Sequence, residues 1–429
     1  MTAIDEQNTD RKGNAMTATG NAINWTEIDG GVCAPRGFRA SGLPCGIRAR
    51  RPDLALLVAD RLASAAGVFT TNRLCAAPVI VCREQLRSSG GKALGVIINS
   101  GNANACTGSE GMSHARTMVS TTARAIGAAD EHVLVCSTGV IGVKLPMEKV
   151  SAGIPKVVEA LAHSPAAAKA ASDAILTTDN GPKVVALEVT TPAGTFRIGA
   201  MAKGAGMIHP NMATTLAFVT TDAPIHPAQL QSTLRAATNR TFNCISVDGE
   251  CSTNDTIIAL ALGRDGLDAD AFAPASEGLH AFAAALEEVL RRLAQMIVAD
   301  GEGATRVMDV RVHGAVTEAE AMKAARAIAN SLLVKTAIHG ADANWGRIAS
   351  AVGASGVAMV PDQLSISIAG MPMLQPGFVS HVDEAEARQR MAGKVIAIEI
   401  DLGAGSAEAR MWASDLSAEY VRINADYRS

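Results

Sequence analysis

Along the chain, short runs of β-branched and other apolar residues alternate with Ala-rich stretches whose apolar positions recur at helical spacing. Residues 54–58, 78–82, 94–99 and 133–136 read as short buried strands, the third ending in a Gly/Asn loop. Residues 114–128, 147–161 and 166–176 carry the helical period. From Lys183 two strand-like runs flank Pro192-Ala193-Gly194, which predicts a hairpin, and residues 216–220 predict a further strand. Residues 227–237 and 279–299 read as helices. A second set follows, with strands at 308–312, 365–368 and 395–401 and an Ala-rich helix at 318–329. Strands alternating with helices predict an α/β fold. The first 21 residues show no periodicity and are expected to form a loose tail. A domain boundary is expected near residue 305, at the turn Asp300-Gly301-Glu302-Gly303, giving domains at 22–305 and 306–429.

Composition narrows the class of function. At 429 residues and 48% hydrophobic, the chain suffices for one large or two ordinary domains with packed cores. With 38 Lys+Arg against 42 Asp+Glu it has no basic excess to meet phosphates, and 3 Trp, 2 Tyr and 8 Phe are too few for base-stacking platforms. No apolar window is long enough to span a bilayer. Nucleic acid and membrane are therefore not expected partners. The polar N-terminal stretch lacks the pattern of an export signal, so a cytoplasmic location with reduced thiols is expected. The eight cysteines form no CxxC and no zinc-spaced Cys/His cluster, and no metal is expected.

Candidate chemistry collects where apolar strands end in small polar residues and Gly. These loops are Asn99-Ser100-Gly101-Asn102, Ser137-Thr138-Gly139, Lys203-Gly204-Ala205-Gly206 and Asp300-Gly301-Glu302-Gly303. None matches a phosphate loop, and each by itself reads as a tight turn. The stretch from Lys203 through Met207-Ile208-His209-Pro210-Asn211-Met212-Ala213-Thr214 is more unusual. It resembles the self-cleavage segment of the ornithine acetyltransferase (glutamate N-acetyltransferase) family. Further blocks resemble that family in order: Ala34-Pro35-Arg36-Gly37, Asn99 to Cys106, Ser137 to Gly142, Thr177-Thr178-Asp179, Ser246-Val247-Asp248-Gly249, Ser252-Thr253-Asn254-Asp255, Asp300 to Thr305, and the end from Tyr420 to Ser429. Ala343 and Ser414 depart from it, at positions where the family often has Pro and Cys or Thr.

The resemblance implies an α/β/α sandwich of the aminopeptidase–ornithine acetyltransferase type with a C-terminal α/β domain. It implies autocleavage between Ala213 and Thr214, with Thr214 as nucleophile and the Thr138 hydroxyl and Gly139 N–H as oxyanion hole. Thr177, Lys203, Thr214, Glu302, Asn424 and Ser429 correspond to its substrate-binding positions. A freed Thr214 would carry both a hydroxyl and an α-amine, and an α-amine titrates at about 7.7–8.0, so it can serve as base for its own hydroxyl. Spacing alone does not separate Thr214 from Thr215. The implied reaction moves acetyl from N2-acetyl-L-ornithine to L-glutamate through an acetyl-Thr214 enzyme in the cyclic arginine pathway. No cofactor is implied; whether acetyl-CoA is a second donor is left open, because family members with and without that activity share these blocks. The implied assembly is α2β2, two copies each of residues 1–213 and 214–429. Two alternatives remain at this point: a self-cleaving aminopeptidase using water as acceptor, and an uncleaved binding protein. An acyltransferase of the same family in a specialised pathway is a variant of the leading reading.

Overall fold

The computed structural model describes residues 12–16, 22–209, 215–380 and 382–426. In chain order its strands are β1 Lys12–Met16, β2 Ala22–Glu27, β3 Phe38–Leu43, β4 Leu54–Phe69, β5 Lys92–Asn102, β6 Val133–Val140, β7 Lys183–Thr191, β8 Gly194–Lys203, β9 Leu216–Thr221, β10 Ile245–Ser246, β11 Thr256–Ala261, β12 Val307–Ala315, β13 Ser365–Ile368, β14 Met371–Leu374, β15 Val395–Asp401 and β16 Ala407–Ser414. The helices are α1 Ala77–Ser88, α2 Gly108–Ile126, α3 Met147–Glu159, α4 Pro165–Ala174, α5 Pro227–Arg240, α6 Glu277–Ala299, α7 Glu318–Ala329, α8 Leu332–His339, α9 Trp345–Ala354, α10 Glu384–Arg390 and α11 Ala418–Ala425. The fold is mixed α/β.

Among the described residues, one sheet runs β1-β2-β7-β8-β9-β11-β4-β5-β6, with β3 also on β4. Its central strands are apolar on both faces because both faces are covered. Ala217 and Val219 of β9, with Ile257, Ala259 and Ala261 of β11, pack under α5 and α6. The alternate residues Leu216, Phe218, Ile258 and Leu260 join the core formed with α1 to α4. A second sheet, β10-β16-β12-β15-β13-β14, packs against α7 and α9. Its first strand comes from residues 245–246, upstream of the turn at 300–303.

Two expectations are corrected. Residues 78–82 are helical, the first turns of α1, not a strand. Pro78 sits where a helix has no use for its missing N–H, and five apolar residues bear no period that separates buried helix from buried strand. The expected tail contains β1, paired antiparallel with β2 through Lys12↔Thr26 to Met16↔Ala22. An edge strand is held by backbone hydrogen bonds, which leave no side-chain period to read.

Candidate functional site

Six residues picked out from sequence line one cavity of about 240 Å3: Thr138, Gly139, Thr177, Lys203, Glu302 and Asn424. They arrive from the end of β6, the loop after α4, the end of β8, the turn after α6, and α11. Ala213, Thr214 and Ser429 lie outside the described residues.

Thr138 and Gly139 sit in an irregular stretch where parallel β5 and β6 lose register, Asn102 facing both Thr138 and Val140. Gly139 has φ 134°, and a Cβ there would lie 2.3 Å from the Gly101 carbonyl carbon and 2.5 Å from the Asn102 nitrogen. Only glycine meets both conditions. Polar side chains brace this stretch from below. The Asn254 amide donates to the carbonyls of Ala103 (2.7 Å) and Ser137 (2.8 Å). The Ser137 hydroxyl donates to Asn99 Oδ1 (2.6 Å), whose amide donates in turn to the Asn102 carbonyl (2.9 Å). Buried amides with filled valences fix a loop more tightly than apolar contacts, since each lost bond leaves an unpaired polar atom.

Opposite charges line the other walls. Lys203 is buried at the end of β8, with the Asp179 carboxylate 3.9 Å from its Nζ. Asp179 also accepts from Lys183 Nζ (2.6 Å), the Gly204 amide (2.6 Å) and the Thr177 amide (3.0 Å). Burial alone would raise its pKa, but Lys203 and Lys183 overcome that and hold the carboxyl well below the usual carboxylate range. Burial pulls the Lys203 ammonium down, opposed by Asp179. Glu302 follows α6 between two glycines and accepts from the Asn424 amide on α11 (2.7 Å). Gly206 lies against its carboxylate, where a Cβ would sit 2.5 Å from Oε2.

Both flanks of residues 210–214 are pinned. Upstream, Asp248 accepts from the amides of Met207 (2.6 Å) and Ile208 (2.9 Å), and the Glu302 amide donates to the Ala205 carbonyl (2.8 Å). Downstream, the Thr215 amide donates to buried Asp255 (3.1 Å), and the Thr256 amide donates to the Thr215 carbonyl (2.9 Å). Burial pushes the carboxyls of Asp248 and Asp255 above the ordinary range. Lys203 on β8 and Leu216 on β9 face each other in antiparallel register.

Known proteins resemble this chain over most of its length. The ArgJ family profile matches residues 39–429. The arginine biosynthesis bifunctional protein ArgJ of Geobacter sulfurreducens is 48% identical over 396 residues, covering 92% of this chain and 99% of that protein. Its counterpart in Chlorobaculum tepidum is 47% identical over 395 residues, covering 92% and 96%. The chain belongs to the ArgJ family. Among solved structures, an ornithine acetyltransferase complexed with ornithine from Mycobacterium tuberculosis matches 44% of this chain and 98% of that chain at 38% identity, with TM-score 0.40.

Within this ArgJ-family chain, sequence reasoning gave no role to four residues that organise the cavity: Asp179, Asp248, Asn254 and Asp255. Each stands inside a block that carries the resemblance, but the partners through which they shape the cavity, Gly204, Met207, Ala103 and Thr215, lie 25 to 151 positions away and leave no local signal. Ser414, one of the departures, accepts from buried Lys335 on α8. Ala343 packs at the margin of the second core. Among the described residues no group of three His, Cys, Asp or Glu side chains could hold a metal ion, and no helix is long and apolar enough to cross a membrane.

Proposed function

We propose that this chain cuts itself between Ala213 and Thr214, and that the new N-terminal threonine transfers acetyl from N2-acetyl-L-ornithine to L-glutamate. The observation that carries the reading is the meeting of Lys203, Glu302, Thr138 and Gly139 in one cavity beside the pinned flanks of residues 210–214.

The neutral α-amine of Thr214 takes the proton of its own hydroxyl as Oγ adds to the acetyl carbonyl carbon. The oxyanion that forms is stabilised by the Thr138 hydroxyl and the Gly139 N–H, donors held in place before the reaction by the Asn99–Asn254 bracing. The amine returns the proton to the leaving nitrogen, the C–N bond breaks, and ornithine departs, leaving acetyl-Thr214. The α-amine of glutamate then adds to the ester and the steps reverse. Lys203 receives a substrate carboxylate, and Glu302 with Asn424 receives the ornithine side-chain ammonium. Donor and product are both N-acetyl amino acids, so the transfer is near thermoneutral and runs both ways.

No cofactor enters this mechanism. The relatives' name "bifunctional" supports a second activity, and acetyl-CoA is proposed as an alternative donor, its thioester acylating the same Thr214 and releasing a thiol. The proposed assembly is α2β2, in the cytoplasm, serving arginine synthesis. The test is purified enzyme incubated with acetylornithine or with acetyl-CoA, each with and without glutamate. Glutamate-dependent N-acetylglutamate is expected; consumption of acetylornithine at equal rate without glutamate would make the protein a hydrolase and defeat the proposal.

A further inference from the structure

We infer that Asp179 is the positioning residue of Lys203: its buried carboxylate fixes where the Lys203 ammonium sits and keeps it charged to receive a substrate carboxylate. The inference rests on the proposed role of Lys203 and concerns what keeps its ammonium charged where it is buried.

Lys203 and Lys183 are both buried, 2% and 3% exposed, and Asp179 between them is 3% exposed. A buried ammonium tends to shed its proton unless an anion stands beside it. Four groups face Lys203 from the elements around it. Asp255, before β11, is kept toward its neutral acid form by burial and is a poor counter-charge. Glu302 opens on the cavity and is bonded to Asn424, where it is left to meet substrate. Lys183, at the start of β7, repels. That leaves Asp179, at 3.9 Å, as the buried and reliably ionised partner. Its other bonds are aimed at the same place: one oxygen accepts from the Gly204 amide next to Lys203, and the other from the amide of Thr177, itself a cavity residue. A single carboxylate therefore ties two parts of the wall together, the end of β8 and the loop at Thr177. Lys183 in turn pairs with Asp300 (2.5 Å), two residues before Glu302. The row Asp300–Lys183–Asp179–Lys203 alternates in sign and joins the loop of the anionic wall to the cation.

The experiment uses the reverse transfer, from N-acetylglutamate to ornithine. N-acetylglutamate has two carboxylates and no group that titrates at alkaline pH, so an alkaline limb in kcat/KM for it reports the enzyme. In a two-step transfer this ratio reports only the first half-reaction. Asp179→Asn is expected to lower it at neutral pH by roughly 30-fold or more, as removing one partner of a buried charge pair does. It should also move the alkaline limb toward neutrality, because Lys203 would lose its anion and keep its repelling neighbour. Lys183→Met removes the repulsion and should move the limb the other way. Asp179→Asn combined with Lys203→Met should be no worse than Lys203→Met alone. Melting temperatures check that each variant folds, and if Asp179→Asn does not, the direction of the Lys183→Met shift decides. An unmoved limb, shifts of the same sign in both variants, or additive losses in the double variant would overturn the inference. Wild-type enzyme that transfers no acetyl would instead overturn the catalytic reading beneath it.

Discussion

Replacing Gly139 by alanine separates geometry from composition in the proposed oxyanion hole, since it removes no donor. The new Cβ would lie 2.3 Å from the Gly101 carbonyl carbon, 2.5 Å from the Asn102 nitrogen and 2.7 Å from the Gly101 Cα, all backbone atoms of the neighbouring strand. Ordinary contact begins at 3.4 Å, so β5 and β6 must part locally by about 1 Å. A displacement of that size takes a hydrogen bond from its optimum to beyond 3.5 Å and forfeits it; losing one oxyanion donor lowers turnover by about 10²–10³. The left-handed φ of 134° adds strain of about 1–3 kcal/mol. Gly142→Ala is the control, for its φ of 80° imposes similar strain with no atom within 4 Å of the added carbon. The assay is the initial rate of acetyl transfer from acetylornithine at saturating glutamate, on material whose processing has been checked by mass, together with a thermal melt. Both variants should melt lower, but only Gly139→Ala should lose kcat by two orders of magnitude, with KM little changed. Gly139→Ala turning over within about threefold of wild type would refute the placing of the oxyanion donor there.

Four further outcomes are expected. Thr214→Ala should give a single 44.1 kDa band on a denaturing gel and no transfer, because one hydroxyl serves both cutting and catalysis; mass spectrometry of the wild type should find a new terminus at Thr214 and not at Thr215. The acidic limb of kcat/KM for acetylornithine should lie below the free α-amine value of about 7.7–8.0, since a Thr214 amine seated in the cavity beside Lys203 would have its ammonium form disfavoured, so activity rises with pH through that lowered value. His209→Gln should leave this limb in place: burial and then Arg326 hold that imidazole below its ordinary pKa, and if its removal erased the limb, His209 would be the base. Asn254→Ala strips two buried carbonyls of their donor and should destabilise the protein by about 2 kcal/mol or more in urea melts while depressing kcat.

Elements with a strong local period were the ones read well from sequence. α7 begins and ends where its pattern does, after a Thr317 side chain that accepts from the Glu320 amide, and the β7–β8 hairpin closes at Thr191↔Gly194, around the expected turn. α1 was misread because a run of five apolar residues is too short to declare a period. β1 and the short β10 and β14 went unread because pairing, not pattern, makes them strands. The same divide runs through the cavity. The residues that face it stand in recognisable motifs, whereas Asp179 reaching Gly204, and Asn254 reaching Ala103 and Ser137, depend on how distant strands are laid side by side.

The antiparallel register of Lys203 with Leu216 bears on how the molecule lives after it is cut. Before the proposed cleavage, β8 and β9 are joined by a connection of a dozen residues, and closing it costs the chain little entropy. Afterwards the same two strands lie side by side in the middle of a sheet but belong to different molecules, and β11 and β4 are likewise divided between them. Nothing in the packing would have to change, so the halves are expected to stay together. Should they separate, however, reunion is a second-order encounter whose success depends on concentration. A mature protein of two chains would then persist because it is slow to come apart, not because it readily reassembles, and its endurance would be a matter of rate. Dilution after unfolding should restore the uncut Thr214→Ala form far more readily than the native pair: on the proposed cleavage, the covalent link is a folding aid that the enzyme discards on becoming active.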